Sequence, residues 1–181
     1  MTPKFLDLLD EREMRGTFFC LGERAEANPD LVREIHDRGH EVGIHGYEHG
    51  HHLLRTGAHT LRDLEKGIAV LDALGPGLHP RHFRPPYGQV SGGSIVAAHK
   101  TGLDMVLWSA WGREWADRSP ESVAQRVAHR LEPGVIVLLH DADATAPPGT
   151  AAVALEALSR IIDELDSRQM KSVRIVDLIR R

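Results

Sequence analysis

Apolar residues recur along this chain at two spacings, and the two alternate. Phe5, Leu6 and Leu9; Leu31, Val32 and Ile35; Leu61, Leu64, Ile68 and Leu71; Val123, Val127 and Leu131; and Leu155, Leu158, Ile162 and Leu165 return every three or four positions, the spacing that lines one face of a helix. Between them lie short apolar or β-branched runs at 16–21, 41–45, 81–83, 103–108, 135–139 and 172–175, which read as strands. Helix and strand taking turns predicts βα units around a parallel sheet, because parallel neighbours need a crossover and a helix is the usual one.

Punctuation supports the pattern. Asn28-Pro29-Asp30 and Ser119-Pro120-Glu121 each put a capping side chain before a proline at the first helical position. Gly39 and Gly102 stand where helices should stop. No linker, repeat or low-complexity stretch interrupts the chain, and 144–149 reads as a surface loop, so one α/β domain over 1–181 is expected. Thr2-Pro3 reads as a helix start with no strand before it, which leaves a βα array without its opening strand. The polar clusters all fall just after strands: His45 and His49, Arg84-Pro85-Pro86-Tyr87, 111–115 and His140-Asp141. In parallel α/β folds the loops at the carboxyl ends of the strands carry the active site.

Composition narrows the function classes. The 181 residues are 41% hydrophobic, enough for one sizeable core, and carry 22 basic against 26 acidic side chains, a net charge of −4 with no basic block. Nucleic acid is therefore not an expected partner. The single cysteine, Cys20, excludes an internal disulfide and reads as a small apolar strand residue. No apolar run approaches the ~18 residues of a membrane span, and no secretory signal follows Met1, so a cytoplasmic location is expected for the chain as given.

Twelve histidines exceed what one site needs. His36, His59, His79, His82, His99 and His129 fall in predicted helices or flanking turns, and His51 and His52 read as solvated loop residues. His45-Gly46-Tyr47-Glu48-His49 differs: two imidazoles four positions apart leave the end of a strand together, the beginning of a transition-metal site. The same five residues satisfy H-x-x-E-H, with Glu48 as a would-be protease base. That motif needs a helix to bring both histidines to one face, and Gly43, Gly46 and Gly50 argue against one. Asp143 reads as a surface residue.

Taken in order, HGYEH at 45–49, RPPYG at 84–88, Glu114-Trp115 and Leu138-Leu139-His140-Asp141 resemble the motifs of the polysaccharide deacetylases with a NodB homology domain, carbohydrate esterase family 4. Gly46 stands where the family usually has a hydroxyl residue, and Glu114 where it has aspartate. The resemblance implies an incomplete or distorted (β/α) barrel over nearly the whole chain, and a hydrolase that removes acetyl groups from N-acetylated or O-acetylated polysaccharide: chitin-like, peptidoglycan or xylan. It implies a divalent metal, zinc above others, on His45 and His49. It makes the Tyr87 N–H an oxyanion donor, His140 the general acid supported by Glu114, and Arg84 the residue that orients an aspartate base. Trp115 and Leu139, with Tyr87, would wall the acetyl pocket. The family's TFDDGP motif, source of the aspartate base and a third metal ligand, occurs nowhere in this sequence. It would stand just before Thr2, so the domain is expected to be N-terminally incomplete, with an extracytoplasmic place open to the longer form. Without the base the chain is expected to be severely impaired, and a catalytically silent glycan- or protein-binding relative remains the alternative, with the protease last.

Overall fold

The structure, a computed structural model, describes residues 1–179. In chain order its elements are α1 (Thr2–Glu11), β1 (Thr17–Cys20), α2 (Gly22–Ala27), α3 (Pro29–Asp37), β2 (Glu41–Ile44), α4 (Gly57–Leu74), β3 (His82–Phe83) and α5 (Gly92–Lys100). Then come β4 (Asp104–Met105), β5 (Ala110–Trp111), α6 (Pro120–Ala128), β6 (Val137–Leu138), α7 (Thr150–Ser167) and α8 (Ile175–Leu178). They fall into two compact units. One comprises residues 16–107 and the described part of 174–181, the other residues 1–15 and 108–173.

The first unit is built on a four-stranded parallel sheet in the order β1-β2-β3-β4. Phe18 pairs with Val42, Cys20 with Ile44, Ile44 with Phe83, and Phe83 with Met105. Sheet residues Val42, Ile44 and Phe83 are buried, as are Val32 and Ile35 of α3, Leu64 and Leu71 of α4, and Ala97 and Ala98 of α5. Gly43 matters within β2: a Cβ there would lie 2.8 Å from the Phe19 ring, so only glycine leaves room for that ring. The C-terminal end of α3 behaves as expected, with Gly39 at φ +81.

The second unit pairs β5 with β6 in parallel, Ala110 opposite Val137 and Trp111 opposite Leu138. The long α7 buries Ala151, Ala154, Ala157, Ile161, Ile162 and Leu165 against α6 and α1, and its alanines let α6 approach closely. Ser119 caps α6 through the Ser122 amide at 3.2 Å, and Arg12 joins the end of α1 to Asp163 and Asp166 of α7.

Three details differ from the sequence expectation. The run 172–175 is not a strand: 171–174 is irregular and Ile175 begins α8. At its end the amides find side chains rather than a ladder, Ile175 N–H donating to Thr17 Oγ1 and the next amide, Val176 N–H, to Glu41 Oε2. The run 103–108 forms only the short β4, because the Val106 and Leu107 carbonyls accept from Arg84. Helix α2 and strand β5 carry too few apolar positions to show a period. No described helix is long and apolar enough to cross a membrane.

Candidate active site

The first unit holds the histidine pair. His45 follows β2 directly, its amide continuing the ladder to Cys20 O at 2.9 Å. His45 Nδ1 lies 2.5 Å from the Arg84 carbonyl; a carbonyl only accepts, so Nδ1 carries the proton and Nε2 keeps its lone pair. The His49 ring centre is 5.1 Å away, tilted by 56°. Two imidazoles bound to one tetrahedral ion at about 2.0–2.1 Å have ring centres roughly 5 Å apart, so the spacing of the pair is that of two ligands sharing an ion. Among the described residues no group of three or more His, Cys, Asp or Glu is placed to hold one, so the pair offers two ligands. Residues 45–50 are not helical, and Glu48 Oε1 accepts from Arg55 Nη2 at 2.8 Å. The H-x-x-E-H protease geometry is absent from this loop.

Three glycines let the loop sit where it does. A Cβ on Gly67 of α4 would meet Ile44 Cδ1 at 2.8 Å and the Gly46 carbonyl group at 3.3 Å; one on Gly22 would meet the Tyr47 ring at 2.7 Å and Gly67 Cα at 2.9 Å. The third, Gly46, has φ +98, a conformation that disfavours any side chain. Lys66 lies 3.5 Å over the Tyr47 ring, whose hydroxyl donates to Glu26 at 2.9 Å. Tyr47 and Glu48 also border an open cleft of about 340 Å³ with His59, Arg62, Asp63 and Lys66, but neither candidate ligand lines it.

Arg84 and Tyr87 follow β3. The Arg84 guanidinium, 6% exposed, stacks 4.1 Å from the Phe19 ring centre and donates to the Leu107 carbonyl at 3.1 Å. Burial lowers it to about 10, so it stays charged at neutral pH. It braces the segment after β4. The Pro85-Pro86 turn carries Tyr87 in the left-handed region, φ 57 and ψ 9, at a cost of order 1–3 kcal/mol for a residue with a Cβ. The Tyr87 N–H makes no hydrogen bond among the described residues, as an oxyanion donor requires. Its half-exposed ring stacks on His51, 4.1 Å between centres, and meets the His49 ring edge-on at 4.4 Å.

Two histidines read as bystanders are buried. His52 is fully buried rather than solvated, its ring 5.7 Å from Phe83, and neither ring nitrogen has a partner among the described residues. Burial lowers its pKa, against Asp63 and with Arg55. His82 lies on β3 and pairs with Glu41 at 2.5 Å.

The second unit holds the His140 group. Arg113, also left-handed at φ 58, turns the chain so that Glu114 is fully buried. Glu114 Oε1 accepts from both the backbone N–H and Nδ1 of His140, at 2.8 and 2.7 Å. This fixes the ring's orientation and puts the proton on Nδ1, with Nε2 as the other end. Glu114 Oε2 is buried without a partner among the described residues. Trp115 meets His140 edge-on at 6.2 Å and stacks on Trp111 at 4.2 Å; Leu139 is half-buried beside His140. Asp143 is exposed but caps α7, accepting from the Gly149 and Ala151 amides, and those bonds lower its pKa.

Sequence reasoning missed Asp63. It is buried on α4 and reaches the His45–His49 loop, where its carboxylate accepts from the Tyr47 amide at 2.9 Å. The signal was present: the buried face of α4 is Thr60, Asp63, Leu64, Gly67 and Leu71, a helical spacing in which small and polar residues replace the apolar ones.

The family model described as polysaccharide deacetylase matches residues 1–106. This chain belongs to the polysaccharide deacetylase family. It is 31% identical over 182 residues to a peptidoglycan-N-acetylglucosamine deacetylase of Bacillus cereus, covering 99% of this chain and 82% of that protein. It is 32% identical over 159 residues to a chitooligosaccharide deacetylase of Bradyrhizobium sp., covering 88% and 71%. A family 4 carbohydrate esterase from Streptomyces lividans, solved in complex with acetate, superposes with a TM-score of 0.84 at 30% identity, covering 94% of this chain and 84% of that one. The deacetylase-type (β/α) fold expected from the motifs is thus the fold of the relatives, here with parallel strands and no closed barrel among the described residues.

Proposed function

We propose that this polysaccharide deacetylase family member is a metal-dependent hydrolase of acetamide groups on amino-sugar polymers of the peptidoglycan or chitin type. The observation that carries the reading is the His45–His49 pair: one ring held through Nδ1 by the Arg84 carbonyl, the second ring at a centre-to-centre spacing of two ligands on one ion. When bound, a zinc-type ion supplies Lewis-acid chemistry at the acetamide carbonyl and a water that loses its proton easily. The chain's own groups do the rest. Tyr87 of the first unit offers the developing oxyanion a strained N–H that makes no hydrogen bond among the described residues. By the family resemblance His140 of the other unit, its Nδ1–H held by Glu114, gives the departing amine a second proton carried on Nε2 and is left as the neutral ring. Leu139 and Trp115 shelter the acetyl methyl.

No TFDDGP motif is present, so these residues include no aspartate base, and acetate release by this chain is expected to run about 10²–10⁴-fold below that of a relative carrying one. The same fact favours a second reading, a silent glycan-binding relative. Zinc titration calorimetry on the chain and on His45→Gln and His49→Gln, with acetate release from N-acetylated chito-oligosaccharides and peptidoglycan fragments, separates the two. Zinc uptake lost in both variants, with slow acetate release, supports the enzyme; glycan binding with neither leaves the silent relative. Zinc uptake unchanged in both variants refutes the metal role.

A further inference from the structure

The loop between the two histidines has no regular structure, yet its backbone is held from two sides. The Gly46 and Tyr47 carbonyls accept from the Gly22 and Glu23 amides at the start of α2, at 2.9 and 3.0 Å. The Tyr47 and Glu48 amides donate to Oδ2 and Oδ1 of Asp63, at 2.9 and 3.3 Å. Asp63 is 7% exposed, and Arg55 Nη1 lies 3.4 Å from Oδ1 while Nη2 of the same guanidinium holds Glu48. A Cβ built on Gly46 would stand 2.7 Å from Asp63 Oδ2, so the carboxylate occupies the space where residue 46 would otherwise carry its side chain. One buried carboxylate therefore holds two of the four peptide units that join the candidate ligands. Gly67, one turn further along α4, permits that reach by letting the helix backbone approach Gly46.

We propose that Asp63 is a positioning residue for the metal pair: it sets the separation and tilt of His45 and His49 by clamping the Tyr47 and Glu48 amides, with Arg55 as its counter-charge. The inference deepens the metal role proposed above and rests on it for its consequence, though the clamp itself can be read without metal. A backbone amide deprived of a buried charged acceptor seeks water, and the loop loses its single path. Two ligands presented by a loop with several paths bind an ion more weakly than two presented in register, and groups that orient ligands typically matter 10–100-fold in metal affinity.

The test uses Asp63→Ala and Asp63→Asn in the whole chain, checked for folding by circular dichroism. Asparagine keeps one acceptor oxygen but offers an NH2 where the second stood, so it should sit between parent and alanine. In the metal-free protein, exchange of the Tyr47 and Glu48 amides, read by NMR, is expected to accelerate at least about tenfold in Asp63→Ala while α7 amides keep their protection. The ring-nitrogen signals of His45 and His49 should shift. Zinc affinity should fall about 10–100-fold in Asp63→Ala and less in Asp63→Asn. A folded Asp63→Ala with parental exchange at Tyr47 and Glu48, or with zinc affinity within twofold of parent, overturns the proposal. Should the alanine variant not fold, Asp63→Asn decides by the same criteria. If the parent takes up no zinc, the metal reading fails by itself, and unchanged exchange and ring signals would overturn the clamp separately.

Discussion

Glu41 offers the sharpest stability test, because three elements of the four-stranded unit meet on its carboxylate. Oε1 lies 2.5 Å from Nδ1 of His82 on β3, and Oε2 accepts from Thr17 Oγ1 of β1 at 2.7 Å and from the Val176 amide of α8 at 3.0 Å. The side chains of Glu41 and His82 are 10% and 4% exposed, so water screens the pair little. Glu41→Ala removes one charged acceptor and leaves buried donors behind. Hydrogen bonds to charged groups contribute about 1.5–3 kcal/mol each, but bonds sharing one carboxylate do not add, and breaking a buried pair from one side costs about 3–5 kcal/mol. We expect a loss in that range at pH 7, a fall in Tm of roughly 6–20 °C for a chain of this size. Burial raises the Glu41 pKa, but the bonds from His82, Thr17 and Val176 and the His82 charge outweigh it, and the net shift is downward from 4.5. A depressed carboxylate stabilises the fold above its unfolded pKa, and that contribution fades as pH falls through the lowered folded value. Urea unfolding at pH 7 and at steps from 5 to 3 reads both effects. A loss under about 1 kcal/mol in Glu41→Ala, or an acid slope in Glu41→Gln equal to the parent's, would refute the reasoning.

Two further substitutions test the site's supports. Gly67→Ala gains about 1 kcal/mol of helix propensity, yet its Cβ would press on the fully buried Ile44 and on the Gly46 peptide, and overpacking costs about 1–3 kcal/mol; thermal melts should show net destabilisation, and an equal or higher Tm would show that the contact relaxes freely. Glu114→Ala leaves both the backbone N–H and Nδ1 of His140 without their acceptor, so the His140 ring-nitrogen signals should move and any acetate release should fall about 10²–10⁴-fold. Glu114→Gln retains an acceptor oxygen and should preserve the signals better; identical signals in both variants would mean that Glu114 does not orient the ring.

Much of the fold could be read from the order of residues because it depends on local periodicity. The stripes at Leu31–Val32–Ile35 and Val123–Val127, the proline starts at Pro29 and Pro120, and the glycine stop at Gly39 act within a few residues, and they set α3 and α6 where the chain alone places them, while Gly102 marked only the end of α5. The alternation of such helices with apolar runs gave the parallel order of the strands. Where a run's backbone partners were side chains distant in sequence, local reading failed: 172–175 became irregular chain and a helix start, with Thr17 taking the Ile175 amide and Glu41 the Val176 amide that follows.

The chemistry divides the same way. Residue order alone marked His45, His49, the Arg84–Tyr87 turn and His140 as the groups to watch, because histidine pairs, proline turns and a histidine closing an apolar strand are visible in one dimension; the family resemblance added Glu114. The chain could not show that His45 points its Nδ1 at a carbonyl 39 residues away, that Glu114 is sealed from water under His140, that His52 is buried without a partner among the described residues, or that Asp63 holds the loop from a helix face read as apolar. Each of these depends on hydrogen-bond direction and burial between segments far apart in sequence, which are properties of packing and not of pattern. Sequence determined which functional groups the molecule owns; tertiary structure decided which way each one faces and what holds it there, because a side chain's proton, charge and orientation follow from its neighbours in space.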